Sequence, residues 1–572
     1  MKKMKMKDAL LLADDRNRGR NEIVVQAGIL AAASIIVRII GLLYQSPLTA
    51  IIGDEGNGYY SLAYNIYTIV LLISSYSIPS AISKLMSAKI AVGEYRNAQR
   101  IFRVCLGYCL AAGLLGAALL YFGAGFLVGP NSVPVLRVFA PTIFCFGILG
   151  SLRGYFQAHS SMLQTSLSQI LEQIFNAAMS LFFAWLLMRS VRGQGTTAEA
   201  VYGAMGSALG TGSGVLAALI FMAAVYFLNR KRSRSMVGGD TTAGTDSYRS
   251  IAREVIRVVT PFILSSFVLN LTTSLNQTIY TKILMNARGF EEASVTMHYG
   301  IFSRKATVIT NIPISIATAT SAAVIPHISS AYATGDRAET KRRCCQAVWL
   351  TALIALPCTA GLIFLAEPVT MILFPQRSSL KEASLLLALL AVTVFFYSIS
   401  TITTAILQST EHMNLPLVNA GAALAVQTAV LVLLLRKTDL GNYALVAASI
   451  VYSVMIYAAN EYFLRKYLGK GVSPGRKYLG PVLASLAMGI GSAAIYRIIR
   501  FVFSMAGFGT ETDPIHTQYF ANLIAFIPAF IAAVLIYESL LFALKSVTES
   551  DLLAMPKGKV LVRFAKKLRW IK

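Results

Sequence analysis

Long apolar runs separated by short polar segments extend from one end of the chain to the other. Each run is about 20 residues or more, the length that an α-helix needs to cross a bilayer core about 30 Å thick. Because lipid cannot satisfy open backbone groups, the pattern predicts an all-α integral membrane protein of about fourteen transmembrane helices. We place these spans at 23–43, 60–83, 104–122, 135–157, 162–188, 201–228, 255–280, 299–330, 346–366, 384–407, 412–435, 442–464, 479–499 and 518–544.

The polar segments between the runs predict the topology. Positively charged loops favour the cytoplasmic side of a membrane. A multi-pass protein of the cytoplasmic membrane with both termini in the cytoplasm would therefore place its basic segments on that side. Most of the 51 Lys and Arg residues do lie in the segments that this topology makes cytoplasmic, namely 1–22, 84–103, 153–161, 229–257, 331–345, 408–411, 465–478 and 545–572.

The middle of the chain predicts a division into two lobes. Residues 229–253 are rich in Gly, Ser and Thr and predict a flexible cytoplasmic linker. A short repeat, Ala-x-Gly-Glu at 91–94 and Ala-x-Gly-Asp at 333–336, favours two parallel lobes with a substrate site between them. We therefore divide the chain into an N-lobe, a linker, a C-lobe, two further helices and a basic cytoplasmic tail, at 1–228, 229–253, 254–465, 466–544 and 545–572.

Composition supports the membrane class and excludes an ordinary soluble domain. The chain is 56% hydrophobic and 13% charged, against about 25% charged residues in soluble domains. Its net charge of +25 fits basic loops beside an anionic leaflet, and no nucleic-acid partner is expected. The six cysteines lie in or beside apolar runs and predict packing residues rather than disulfides.

The motifs of common enzymes are missing from the sequence. The chain has no P-loop pattern, no H-E-x-x-H and no G-x-S-x-G, and its five histidines have no metal-ligand spacing. These absences disfavour a membrane enzyme or a built-in ATPase. We expect a transporter without a cofactor or metal, driven by the membrane potential or by a gradient of H⁺ or Na⁺.

One arginine lies deep inside an otherwise uncharged run. Arg38 is the only charge between Ile23 and Gly53, and Pro47 predicts a break in the helix that follows. A charge in the middle of the membrane is costly and usually faces a cavity or a partner. Snorkelling to the membrane surface is the alternative. We predict that Arg38 faces a substrate cavity.

The fifth span carries a polar stripe. Thr165, Gln169, Glu172 and Asn176 follow one another at steps of four, three and four residues, so they share one helical face. The stripe faces either a cavity, where Glu172 would neutralise an arginine or carry a proton, or a neighbouring helix through hydrogen bonds.

Further polar residues suggest a hydrated path through several helices. Arg304 and Lys305 enter the eighth span near its outer end, where snorkelling competes with substrate binding. The seventh span carries Ser266, Asn270, Ser274 and Gln277, and the tenth carries Thr393, Tyr397, Ser400, Thr404 and Gln408. In contrast, a tandem GxxxG at 206–214 predicts close helix packing. The predicted substrate-binding residues are Arg38, Gln169, Glu172, Asn176, Asn270, Gln277, Arg304 and Lys305.

Several motifs, in order along the chain, resemble one transporter group. They are V-R-I-I-G-L-L-Y-Q-S-P-L-T-A-I-I-G-D-E-G at 37–56, S-I-P-S-A-I-S-K-L at 77–85, L-R-G-Y-F-Q at 152–157, S-Q-I-L-E-Q at 168–173 and I-P-I-S-I-A-T-A-T-S-A-A-V-I-P at 312–326. Together they resemble the stage V sporulation protein B group, which includes Gram-positive lipid II flippases of the multidrug/oligosaccharidyl-lipid/polysaccharide exporter superfamily. The resemblance covers about the first 375 residues.

This resemblance implies an architecture and a cargo. It implies two pseudo-symmetric lobes of six helices around a central cavity, plus two C-terminal helices. The cavity would carry the headgroup of an undecaprenyl-diphosphate-linked glycan, most of all lipid II, by alternating access. Membrane lipids and the cell-wall synthesis machinery are the other partners that it suggests. The sequence leaves open which lipid-linked glycan is carried and whether the protein serves growth or sporulation.

The resemblance also assigns residues. Members of the group place essential arginines in the cavity; Arg38 matches the first-span arginine by its R-x-x-G setting, and Arg304 is the best match in the eighth span. Arginine suits this task because its donor fork fits phosphate oxygens. A second first-span arginine of some lipid II flippases is Tyr44 here, a departure that affects the expected phosphate contacts.

Two alternatives remain at this stage. A cation-coupled multidrug or metabolite exporter of the same superfamily would favour carboxylates in its cavity, whereas Arg38 and Arg304 stand here against Glu172. A non-transporting membrane protein of envelope assembly or sporulation would need no cargo site, and a measurement of activity separates it from the flippase.

Overall fold

The structure, a computed structural model, describes residue 33 and residues 35–76, 78–159, 161–240, 244–412, 414–469, 478–510 and 512–547. These residues form helices joined by short turns, which confirms the predicted all-α fold. Within the described residues, eleven helices are long and apolar enough to cross a membrane, and the chain is a multi-pass membrane protein. Part of the predicted span 23–43 lies outside the described residues, and several side chains of the spans 255–280 and 299–330 are not described, so the count of fourteen stays a prediction. Most of the predicted tail, 545–572, also lies outside the described residues.

The chain divides into two compact units, one up to Ser274 and one from Leu275 onward. The predicted lobe boundaries, and a cavity between the lobes, stay predictions. The first unit contains a helical segment at 35–43, a π-helical turn at Leu72–Tyr76, a 3₁₀ turn at Pro130–Ser132 and the helices α1 (Gln45–Leu71), α2 (Ile78–Ala91), α3 (Tyr95–Phe122), α4 (Ala124–Leu127), α5 (Val133–Ala158), α6 (Met162–Ser190), α7 (Thr196–Gly238) and most of α8 (Tyr248–Lys282).

The second unit begins with the end of α8 and continues to the last helix. It contains π-helical turns at Ile283–Ala287 and Ile301–Ala306, and the second of these is called the 301–306 turn below. Its helices are α9 (Glu292–Gly300), α10 (Thr307–Ala333), α11 (Arg337–Phe364), α12 (Ala366–Leu373), α13 (Arg377–Ser409), α14 (Asn414–Lys437), α15 (Tyr443–Leu468), α16 (Leu479–Met505) and α17 (Ile515–Ala543).

The helical path is interrupted at Tyr44, in the turn before Pro47, which confirms the expected break, and a second break lies at Gly53. Pro47 occupies the third position of α1, where the missing N–H group would have few helical partners. Gly53 adopts φ 69° and ψ −179°, a backbone conformation that residues with a side chain rarely adopt. Asn57 Nδ2 donates to Thr49 Oγ1 at 2.8 Å and so connects the two halves of α1 across this break.

Small residues hold α6 and α7 in backbone contact. A Cβ atom at Gly206 would overlap the backbone of Ala184, and one at Gly210 would overlap Ser180. One at Gly214 would overlap the carbonyl oxygen of Glu172. The close packing that the tandem GxxxG predicts is therefore confirmed, and it fixes the polar stripe of α6 against α7.

The predicted linker is shorter and more closely held than its composition indicates. α7 continues to Gly238 and α8 begins at Tyr248, so much of 229–253 is helical. Asp240, 5% exposed, accepts from the Arg96 N–H in the first turn of α3 at 2.7 Å. The Asp246 carboxylate lies 3.0 Å from Lys89 Nζ. The backbone carbonyl oxygen of Asp246 accepts from the Arg100 side chain at 2.7 Å. Asp240 and Asp246 therefore join the predicted linker to α2 and α3, and its flexibility stays a prediction.

Candidate functional site

The polar stripe of α6 meets a buried arginine of α5. Arg153 Nη2 donates to Glu172 Oε2 at 2.7 Å, and Arg153 Nε donates to Ser168 Oγ at 2.9 Å. The exposed fractions of the two charged side chains are 8% for Arg153 and 25% for Glu172. Glu172 therefore does neutralise an arginine, but that arginine belongs to the neighbouring helix.

The position of Arg153 corrects the sequence analysis. The predicted topology places Arg153 in the cytoplasmic segment 153–161. In the structure, α5 continues to Ala158 and the Arg153 side chain is buried. The next residue, Gly154, lets α5 approach α2, since a Cβ atom there would lie 2.8 Å from the Ile82 Cβ atom. The signal in the sequence was an arginine four residues before the end of the predicted span 135–157. This signal did not identify Glu172 as the partner of Arg153.

The other end of the stripe bonds to α7. Asn176 Oδ1 accepts from Ser180 Oγ at 3.0 Å and from Thr211 Oγ1 at 3.4 Å. The Thr211 hydroxyl also lies 3.1 Å from the Tyr60 hydroxyl of α1. Thr165 is 1% exposed. These contacts support the interhelical alternative for Glu172 and Asn176, and cargo binding by these residues stays a prediction.

The helical segment 35–43 passes close to the same stripe. A Cβ atom on Gly41 would lie 3.3 Å from the side-chain amide nitrogen of Gln173. Arg38 lies one helical turn before Gly41, and its side chain is exposed. Gln169 is partly buried, one turn before Gln173. The structure therefore places the segment that bears Arg38 beside the helix that bears Gln169 and Glu172.

The two cations of the eighth predicted span lie in the 301–306 turn and differ in burial. Lys305 is 1% exposed, and its Nζ donates to Ser379 Oγ of α13 at 2.6 Å. Arg304 is only partly buried. Snorkelling therefore does not describe Lys305, whose ammonium group is held inside the second unit. π-Helical turns are frequent at functional sites, which makes this turn a candidate for cargo contact.

The stripe on α8 is described only in its second half. Gln277 is 3% exposed, while the side chains of Ser266 and Asn270 lie outside the described residues. Asn276, which the sequence analysis missed, accepts from the side-chain amide of Gln427 on α14. Its neighbour Gln277 gave the periodic signal, and Asn276 lies one position earlier.

A second polar network of the same unit was also missed. Asn460 Nδ2 donates to Thr404 Oγ1 of α13 at 2.9 Å, and Asn460 Oδ1 accepts from Asn419 at 2.9 Å. Thr404 belongs to the predicted stripe of the tenth span, whereas Asn419 is flanked by apolar residues and Asn460 directly precedes Glu461. Within the described residues, no group of three or more His, Cys, Asp or Glu side chains could hold a metal ion.

Comparison with known proteins supports the resemblance found in the sequence. The family described as polysaccharide biosynthesis protein matches residues 23–332, and the family described as MatE matches residues 305–434. Lipid II flippase MurJ of Bacillus subtilis (strain 168) is 23% identical over 497 residues, which cover 83% of this chain and 89% of MurJ. Stage V sporulation protein B of the same organism is 23% identical over 516 residues, which cover 83% of this chain and 94% of that protein.

A solved structure shares the fold. Lipid II flippase MurJ in an inward closed conformation superposes with a TM-score of 0.62 at 15% identity, covering 90% of this chain and 98% of that structure. At this identity the likeness shows the fold alone. It extends through the last third of the chain, where the motifs of the sequence analysis end.

Proposed function

The chain belongs to the polysaccharide biosynthesis protein family, and from that premise we propose that it moves a polyprenyl-diphosphate-linked glycan across the cytoplasmic membrane by alternating access. Lipid II is the leading cargo. Similarity to a lipid II flippase along 83% of the chain supports transport over an enzymatic reaction. It also supports a lipid-linked precursor as the class of cargo.

The observation that carries this proposal is the Arg153–Glu172 ion pair. It occupies the carboxylate of the α6 stripe, so Glu172 offers no net negative charge to a cationic drug. Arg38, on the adjoining helical segment, adds positive charge beside this stripe. The balance favours an anionic cargo over the cargo of a cation exporter.

The chemistry of the cargo fits these cations. A diphosphate that leaves water needs compensating positive charge, and a guanidinium group binds phosphate oxygens through paired N–H donors. Arg38 would bind a phosphate group in this way while the polyprenyl tail remains in the bilayer, and Arg304 stays the predicted phosphate-binding residue of the second unit. Each charge that crosses the membrane gains or loses about 2.3 kcal/mol per 100 mV, so the membrane potential could drive one direction of the cycle.

Replacement of the resident flippase in a living bacterium tests the proposal. We would express this chain in cells depleted of their own lipid II flippase and measure the fraction of lipid II that an externally added lipid II-cleaving enzyme reaches. We expect restored accessibility with the native chain and its loss with Arg38→Ala at equal membrane abundance.

Arg497→Ala is the matched control. Arg497 also lies in a predicted span, on α16, and its side chain is exposed. We expect this variant to transport normally. No restoration by the well-expressed native chain would contradict lipid II as cargo, and normal transport by Arg38→Ala would remove Arg38 from the cargo site.

A further inference from the structure

Two side chains from one short segment attach to the same face of α13. His298, near the end of α9, has its Nδ1 atom 2.7 Å from Glu382 Oε1. Seven residues later, Lys305 Nζ donates to Ser379 Oγ at 2.6 Å. Ser379 and Glu382 are three residues apart, so they lie on one face of α13. Lys305 belongs to the 301–306 turn, and Arg304 and the rest of the turn up to it lie between these two attachments.

Glu382 is a meeting point of several helices. The same carboxylate oxygen that faces His298 also accepts from the side-chain amide of Asn442, immediately before α15. Two tyrosines, Tyr280 of α8 and Tyr443 of α15, lie close enough to Glu382 to interact with its charge. The other charged groups of the adjoining elements are Lys305, Lys381, Glu292 and the Arg288–Asp439 ion pair.

The pair is accessible to protons without being fully solvated. The side chain of His298 is 40% exposed, and that of Glu382 is 23% exposed. The hydrogen bond with Glu382 raises the pKa of His298, and partial burial opposes this shift without cancelling it. Histidine ordinarily titrates near 6.5, and the pKa of His298 lies above that value.

We propose that His298 and Glu382 form a proton-binding site, and that a proton bound there fastens the 301–306 turn to α13. The proton comes from solvent and adds to the free ring nitrogen of His298, Nε2, while the Nδ1–H group donates to the Glu382 carboxylate. No other bond forms or breaks. The resulting imidazolium–carboxylate bond is charge-assisted and roughly twice as strong as a neutral one.

The consequence for the cationic turn follows from its geometry. With His298 protonated, both ends of the segment are attached to α13 and Arg304 is held in place. With His298 neutral, the Lys305–Ser379 contact remains and the attachment at His298 weakens. The site itself is independent of the cargo. Its effect on the position of Arg304 during transport rests on the proposed function.

The pH dependence has a definite sign. The pKa of His298 is raised by folding, so its stabilising effect is fully present below the ordinary histidine value of about 6.5. That effect is lost as the pH rises through the raised value of the folded state. The 301–306 turn is therefore expected to be more firmly held in mild acid than in mild alkali.

Hydrogen–deuterium exchange of the full chain in detergent or nanodiscs tests the site directly. We would compare the amides of residues 292–306 between about pH 5.5 and pH 8.5, a range that brackets the histidine value of about 6.5. Labelling times would be scaled to the intrinsic exchange rate at each pH. We expect a several-fold loss of protection in this segment as the pH rises, with no matching change in α17.

Two variants and one control assign the effect. We expect His298→Gln and Glu382→Gln each to remove the pH dependence, because neither can form the charged pair. His516→Gln, which replaces an exposed histidine of α17, should leave the dependence unchanged. Protection in the native chain that does not vary with pH would overturn the proposal, and so would an undiminished pH dependence in His298→Gln. These results do not depend on lipid II, so they separate this site from the proposed cargo.

Discussion

At the scale of single residues, Arg153 and Glu172 form an ion pair whose side chains are only 8% and 25% exposed. Removing one partner of a buried pair costs about 3–5 kcal/mol, because the other charge remains buried without compensation. Replacing both partners with apolar residues is often neutral. Removal of one of the two charges is therefore expected to destabilise the protein more than removal of both.

We predict that Glu172→Leu lowers stability by about 2 kcal/mol, less than the full penalty because Glu172 is partly exposed. Arg153→Leu/Glu172→Leu should recover most of this loss. Thermal unfolding can be followed with a thiol-reactive fluorophore, since Cys105 and Cys109 are buried in the adjoining core.

Glu339→Leu is the control for this pair. It breaks the contacts of Glu339 with Arg342 and Arg343 at the beginning of α11, where the Arg342 side chain is 66% exposed. Its effect should be the smaller one. If the double variant of the buried pair loses as much stability as the two single variants together, the two charges are not coupled.

The same residues show what sequence can and cannot specify about the site. Periodicity is enough to place Gln169, Glu172 and Asn176 on one face, because steps of three and four residues follow from helix geometry. The partner of Glu172 lies 19 residues earlier, on another helix. That distance depends on how α5 and α6 pack, which no pattern within one helix encodes. His298 and Glu382 are 84 residues apart and were missed for the same reason.

At the scale of elements, the contact between α6 and α7 depends on the absence of side chains. A Cβ atom at Gly210 would overlap Ser180, whereas a Cβ atom at Gly107 on α3 would meet nothing within 4 Å. The two glycines therefore form a matched pair, one at a helix contact and one at a free surface.

We predict that Gly210→Ala destabilises the chain by about 1–3 kcal/mol, the usual effect of overpacking. Gly107→Ala should be neutral or slightly stabilising, because alanine favours a helix by about 1 kcal/mol over glycine. The melting temperatures of the two purified variants check this. Equal melting temperatures would show that α6 and α7 separate to admit a methyl group.

Spans were easier to predict than breaks within them. Apolar length alone placed the long helices, because burial in lipid dominates their energetics. The break of α1 depends on whether the local backbone loses a hydrogen bond. Pro47 lies in the first turn, where little is lost, and Gly53 provides the positive φ angle.

At the scale of the whole molecule, the connection between α7 and α8 is anchored within the first unit, and the boundary between the two units lies further along the chain, inside α8. Asp240 and Asp246 hold this connection to α2 and α3 through Lys89, Arg96 and Arg100. Composition predicted flexibility because it counts glycine and serine but does not show which polar groups find partners. The contacts of Asp240 and Asp246 are the part of this connection that composition does not show.

We predict that Asp240→Ala/Asp246→Ala exposes this connection to proteolysis. Trypsin cleavage at Arg249, followed by mass spectrometry of the full chain in detergent, should be several-fold faster than in the native chain. Asp513→Ala is the control, since Asp513 makes a comparable contact with the Thr510 N–H before α17. Unchanged cleavage at Arg249 would show that the connection does not depend on these aspartates.

The glycine contact of α6 and α7 also has a mechanical consequence. Two helices whose backbones touch at Gly206, Gly210 and Gly214 have little room to slide or rotate past one another. They should move as one rigid part, and the hydroxyl and amide side chains between them should keep their relative positions. Any rearrangement of the first unit would then have its hinges elsewhere, for example at Gly53, where α1 is already interrupted.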